Sequence, residues 1–228
     1  MGVKMLAGAD FHGFKPSFDH FANEAKALGV DLMLVCGDVT NFGTLEQAKN
    51  LLSILAETNI PTLFVPGNCD PPSLVNIDLE VVKCIHGSSI LYDELAFMGV
   101  GGSPITPFNT LFEMREEEIA GVLQECLHKF GGEIKRHDII LLSHSPPKNT
   151  ILDKTFLGIL VGSTSIRRFI EEYKPLLAVC GHIHETKGKS RINNTLIINP
   201  GPAKQGNYAL ITVKNKDEID VDLRSAKI

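Results

Sequence analysis

Short unbroken apolar runs alternate along this chain with stretches in which apolar residues recur every three or four positions. The runs VKMLAGA (residues 3–9), LMLVC (32–36), TLFV (62–65), DIILLS (138–143) and LLAVC (176–180) predict strands buried on both faces. After the first, Phe18, Phe21, Ala22, Ala25 and Leu28 fall on one helical face, with Ser17 as the expected N-cap and Gly29 as the stop. Thr44 and Gln47 have the spacing of a capping box, opening a second helix with Leu45, Ala48, Leu52 and Leu55 inward. A third helix fits residues 116–130 and a fourth fits 165–173, closed by Pro175. The segments VVKCI, SILY and LAFMGVGGS, and the tail segments GKSRI, TLIIN, NYALITV and IDVDL, read as shorter strands. Helices interleaved with apolar strands, then a strand-rich end, predict an α/β fold: a mixed sheet or two stacked sheets flanked by helices.

Composition adds limits. The 228 residues, 43% hydrophobic, suit one compact domain over residues 1–228. No apolar run reaches the roughly 18 residues of a membrane span. The first residues read as a strand and loop rather than a signal peptide, so a cytoplasmic location without a membrane partner is expected. A net charge of -5 disfavours a dedicated nucleic-acid binder. It leaves room for a small phosphorylated substrate whose charge a metal ion would meet. The five cysteines, none in CxxC spacing, argue against a structural zinc site and a disulfide framework.

The candidate chemistry follows the buried strands: Asp10-Phe11-His12, Gly37-Asp38, Gly67-Asn68-Cys69-Asp70, His144, and Gly181-His182-Ile183-His184. In open α/β sheets, ligands bind beyond the carboxyl ends of strands. An extended segment points residues i and i+2 the same way, so Asp10 with His12, and His182 with His184, would each address a common ion. Gly37, Gly67 and Gly181 would let the backbone turn sharply or come close to that ion. Mixed oxygen and imidazole donors suit Mn, Fe, Zn or Ni better than Ca. Asp10-Phe11-His12, the Asp after Gly and His144 are each weak alone, since such residues are often turn, cap or satisfied polar groups; two histidines two apart after a buried strand are a stronger sign. Five in order, at one kind of position, carry the inference. His20, His86, His128 and His137 are expected to be structural.

The series DFHG, GDVT, GNCD, SHSPP and GHIH, from Asp10 to His184, resembles the calcineurin-like metallophosphoesterases, and NPGP at 199–202 fits their compact members. The resemblance implies a four-layer αββα sandwich with two mixed β-sheets flanked by helices, and a site for two divalent metal ions. By motif, Asp10, His12, Asp38 and His184 would hold one ion. Asp38, Asn68, His144 and His182 would hold the second, with Asp38 bridging. Such a pair lowers the pKa of a shared water to about neutral, giving a hydroxide for in-line attack on phosphorus. Asn68, Cys69, Asp70 and His144 are the implied catalytic residues. Most members carry histidine where this chain has Cys69. A thiol is a weak donor with a reference pKa of about 8.5, so proton donor, ligand and space-filler stay open. Asp70 would orient that histidine in other members, and its partner here is not evident from the sequence.

The expected activity is a metal-dependent phosphoesterase, a diesterase in preference to a monoesterase because no arginine lies in the ligand motifs. Arg115, Arg167, Arg168 and Arg191 are available to fold inward. The alternatives are a phosphomonoesterase, a nucleotide pyrophosphatase, or an inactive interaction scaffold; homo-oligomerisation stays open. The GGSPITPFNT stretch (101–110) is expected in the pocket wall, with Lys148 and Asn149 as weaker candidates near the phosphate.

Overall fold

The computed structural model describes residues 2–131 and 136–228. Three parallel neighbours, β1 (Val3–Gly8), β2 (Leu32–Cys36) and β3 (Thr62–Val65), form the centre of the first sheet. β4 (Asp78–Leu79) and β5 (Val82–Cys84) extend one side. Later in the chain come β6 (Ser89–Tyr92), β7 (Leu95–Val100), the short pair β8 (Ser103–Pro104) and β9 (Glu113–Met114), and then β10 (Asp138–Ser143). β11 (Leu177–Val179), β12 (Gly188–Ile192), β13 (Thr195–Asn199), β14 (Asn207–Asn215) and β15 (Glu218–Ser225) complete the strands. The first sheet runs β15-β14-β1-β2-β3-β5-β4 and the second β12-β13-β11-β10-β7-β6. Both mix parallel and antiparallel pairs.

The continuous apolar runs have a direct cause: each central strand is covered on both faces. Met5, Ala7, Leu34, Cys36, Leu63 and Val65 from the first sheet meet Phe97, Ile140, Leu142, Val179 and Ile198 from the second. The intervening residues Leu6, Met33, Val35 and Phe64 face outward under α1 (Lys15–Leu28) and α2 (Leu45–Ala56), against Phe18, Phe21, Leu51 and Leu52. On the far side Met98, Leu141, Ala178 and Ile197 pack under α3 (Glu116–Phe130) and α4 (Thr164–Tyr173), against Ile119, Leu123, Ile166 and Phe169. The order helices, sheet, sheet, helices is the four-layer αββα sandwich that the resemblance implied. Among the described residues no helix is long and apolar enough to cross a membrane.

Two helix starts differ from expectation. α1 begins two residues before Ser17, with Phe14 in the N-cap position and a proline in the first turn. Proline has a fixed φ that suits this turn and no N–H to leave unpaired. Ser17 is buried inside the helix and donates its hydroxyl to Phe14 O at 2.6 Å. α4 begins one residue earlier than expected, at Thr164, capped by Ser163, whose Oγ accepts from Ile166 N–H at 3.1 Å.

The register sets the site. Gly8 lies beside Val35, and Cys36 beside Val65. Ser143 lies beside Val100, and Leu142 beside Val179. The carboxyl ends of β1, β2, β3, β10 and β11 are thus level within each sheet, and the loops that follow them meet at one edge of the sandwich.

Candidate metal centre

Asp10, His12, Asp38 and His182 all sit at positive φ (57°, 48°, 51° and 69°). Left-handed backbone costs a non-glycine residue about 1–2 kcal/mol. It persists only where surrounding contacts over-determine it, which is common at functional sites. Those contacts are cross-links between loops: Asp10 N–H to Gly37 O at 3.1 Å, His12 N–H to Asp38 O at 2.7 Å, and Gly181 N–H to His144 O at 2.9 Å. The expectation that extended i, i+2 geometry aligns each Asp/His or His/His pair is therefore corrected. Asp10 and His12 reach a common site through a left-handed turn, and His184 opens a short 3-10 turn.

All seven predicted ligands come together. His12 Nε2 faces His184 Nε2 at 2.9 Å, with Asp38 Oδ2 at 3.4 Å from the first ring and Asp10 Oδ1 at 3.7 Å from the second. On the other side, His144 Nε2 lies 3.5 Å from Asp38 Oδ1 and 2.9 Å from Asn68 Oδ1. The His182 ring is centred 5.0 Å from that of His144, and the His182 backbone N–H donates to both oxygens of Asp10. Asp38 stands between the halves, one oxygen facing each.

The donor set fits divalent cations. Burial, the largest influence, pushes His12 down to about 4 and His182 to about 3, so both rings are neutral and carry a lone pair. His144 Nδ1 is 2.8 Å from Cys36 O. Donation there fixes the tautomer and turns the Nε2 lone pair toward Asp38. Burial disfavours a charge on His144, but Asp38, Asp10 and the Cys36 carbonyl outweigh it and raise its pKa. Asp10 and Asp38 are buried, and among the described residues no lysine or arginine pairs with either. Buried carboxylates and facing imidazole lone pairs without a cation are costly. The glycines take the predicted close approach. A Cβ on Gly67 would lie 2.0 Å from Asp38 Oδ1, one on Gly37 2.3 Å from His144 Nδ1, and one on Gly181 2.9 Å from Asp10 Oδ2.

The GNCD loop answers the question left over Asp70. Its buried carboxylate accepts from Val39 N–H (3.0 Å), Thr40 N–H (2.7 Å), Thr40 Oγ1 (2.8 Å) and Gly67 N–H (2.8 Å). It ties the loop after β2 to the loop after β3. Burial, then the nearby Asp38 charge, pushes Asp70 up to about 6, against the hydrogen bonds from Gly67 and Thr40. Cys69 donates its backbone N–H to Asp38 Oδ1 at 2.8 Å. Its thiol is grouped with His12 and Asp38 and accepts weakly from Asn68 Nδ2 at 3.7 Å. Burial and the Asp38 carboxylate push that thiol well above its usual value.

None of the four arginines expected to be able to fold inward reaches the cluster. Arg115 pairs with Glu118, Arg167 with Glu171 and with the carbonyls of Lys148 and Asn149, and Arg191 donates to Asn194 O, while Arg168 is exposed. His86 lies apart, its Nδ1 accepting from Gly101 N–H at 2.9 Å. The Cys36 carbonyl contact was missed by sequence reasoning because a backbone carbonyl leaves no signature in residue identity.

Comparison with known proteins accords with this geometry. Residues 41–223 match the family described as metallophosphoesterase, calcineurin superfamily. That span begins after Asp10, His12 and Asp38, so their assignment stands on the loop geometry. The chain is 35% identical to an uncharacterized protein of Methanocaldococcus jannaschii over 96% of both. It is 23% identical to a probable glycerophosphodiester phosphodiesterase of Arcobacter nitrofigilis, over 73% of this chain and 59% of that protein. A crystal structure from Thermus thermophilus shares the fold with a TM-score of 0.74, at 19% identity over 97% of this chain and 99% of the other. The chain belongs to the calcineurin superfamily of metallophosphoesterases, a family that uses divalent metals.

Proposed function

We propose that this protein is a phosphodiesterase with a dinuclear metal centre. The observation that carries the reading is Asp38: its Oδ2 faces His12 and its Oδ1 faces His144, as a bridging carboxylate would. Asp10, His12, Asp38 and His184 would hold one cation, and Asp38, Asn68, His144 and His182 the other. Two divalent cations, when bound, acidify a water for in-line attack and draw off charge that builds on the phosphoryl oxygens. The chain's own residues do the positioning. The Cys36 carbonyl holds His144 in one tautomer, the Cys69 N–H holds one Asp38 oxygen, and Asp70 locks two ligand loops together.

The lean toward diesters rests on Arg115, Arg167, Arg168 and Arg191, none of which adds charge for a monoester dianion at the cluster. The family relative from Arcobacter named as a diesterase supports the same choice. Retention of all seven donors speaks against an inactive scaffold. The test is turnover of bis(p-nitrophenyl) phosphate by chelator-dialysed protein, with Mn²⁺, Ni²⁺, Fe²⁺ or Zn²⁺ restored singly. Hydrolysis that returns with metal is expected. Folded protein inert with all four ions overturns the reading.

A further inference from the structure

A cleft of about 670 Å³ opens directly from the metal centre, with Asn68 and His182 in its lining. This lies within the usual range for small-molecule sites, about 300–1,000 Å³. Its walls are two loops. One, residues 104–112, exposes Ile105 (65%) and Phe108 (81%); the other, residues 153–161, exposes Phe156 (91%) and Leu157 (80%). Exposed apolar clusters of this kind mark binding sites more often than inert surface.

Neither wall is a loose excursion. The Glu113 carboxylate accepts from the hydroxyls of Thr106 and Thr110 and from both their N–H groups, closing the first loop. The buried Asp153 carboxylate accepts from Asn149, Thr150 and Gly162 N–H at the base of the second, and Thr155 N–H donates to Ile159 O at 2.9 Å across it. Each wall is also anchored to a ligand loop. Phe112 N–H donates to Asn68 O at 3.0 Å, and Phe156 N–H donates to Glu185 Oε1, one residue past His184. The fold thus holds apolar tips open on both sides of the cleft that Asn68 and His182 line.

The polar side chains of the cleft are mostly engaged already. Thr106 and Thr110 serve Glu113, Glu116 accepts from Ser163, Thr164 and Ser165, and Glu185 holds Phe156. A nucleoside or sugar needs free donors and acceptors for its hydroxyls and ring edges. Ile105, Pro107, Leu157, Ile159 and Leu160 offer an alkyl chain contact and ask for no hydrogen bonds. Lys148, also in the lining, makes no side-chain hydrogen bond or ion pair among the described residues, and its one positive charge suits the single charge of a diester phosphate.

Resting on the phosphoesterase reading, we infer that the substrate is a phosphate ester bearing an aliphatic chain. The phosphate sits at the Asn68–His182 end and the chain lies between the two loop tips. The test is calorimetric binding of butyl-, hexyl- and octylphosphonate, as monomers, to Mn²⁺-loaded protein. Affinity should rise roughly twofold to fourfold per added methylene as the chain is buried. The slope should flatten in Phe156→Ser/Leu157→Ser, and in Ile105→Ser/Phe108→Ser on the opposite wall, each checked for folding by circular dichroism. Equal affinities in the native protein overturn the inference, as does a slope that survives in both variants. AMP binding more tightly than octylphosphonate overturns it in favour of a nucleotide. A dimer in sedimentation that Phe156→Ser/Leu157→Ser dissolves overturns it in favour of a second copy of this chain. The diester turnover test is separate: activity with a flat binding slope sinks only the chain-binding claim, and a steep slope without turnover sinks only the diesterase claim.

Discussion

The resemblance sets Cys69 at the position where most members carry histidine, and its buried thiol lies close to Asp38 and His12. A thiol donates a hydrogen bond weakly, so esters with good leaving groups should turn over well and alkyl esters slowly. Cys69→His should narrow the ratio of aryl to alkyl ester rates, measured as kcat/KM on matched diesters; an unchanged ratio contradicts any role for position 69 in departure of the leaving group. Asp70 acts through its four hydrogen-bond donors. Asp70→Asn removes acceptor capacity and leaves a buried N–H unpaired, costing about 1–3 kcal/mol in urea unfolding. Metal affinity should fall roughly 10–100-fold, as for other groups that orient ligands. Unfolding and metal titration curves that match the native protein would refute the bracing role. The seven donors were legible as residues because each follows an apolar run. Their left-handed backbone and the Asp70 brace were not, because both are set by contacts between loops distant in sequence.

At the scale of elements, Glu116 shows how helices are tied where sequence gives no sign. Its carboxylate, in the first turn of α3, accepts from Ser163 Oγ and from Thr164 and Ser165 N–H at the start of α4. It joins two helices of one outer layer and caps the second. Burial alone would raise its pKa, but the hydrogen bonds from Ser165, Ser163 and Thr164 outweigh burial and hold it below the usual value. A depressed folded-state pKa stabilises the fold fully above the unfolded value of about 4.3 and less as pH falls through the folded value. Glu116→Gln should therefore lower the thermal midpoint at pH 7, and the gap from the native protein should close as pH drops below about 4. A gap constant over that range contradicts the ionised cap. α1, α2, α3 and α4 were each visible from apolar spacing, because burial of one face enforces that period. The starts of α1 and α4 shifted where Pro16 and Ser163 took the first turn and the cap instead. The apolar run at 155–161 carried no expectation, since it is too short for a helix and faces solvent rather than a core.

Across the whole molecule, two sheets share one inner core, and helices cover the outer faces. Burying both faces of each central strand removes polar residues from the strands and leaves chemistry to the loops beyond them. That is why fold class and the residues that meet at the candidate site could be read together from one pattern. The level register of β1, β2 and β3, and of β10 and β11, then brings the loops to one edge. The account's central claim is that this edge holds two cations on either side of Asp38. Crystals grown with Mn²⁺ and measured at the manganese absorption edge test it most directly. Two anomalous peaks are predicted, one among Asp10, His12 and His184 and one among Asn68, His144 and His182, with Asp38 between them; a single peak, or none within reach of Asp38, would contradict the account.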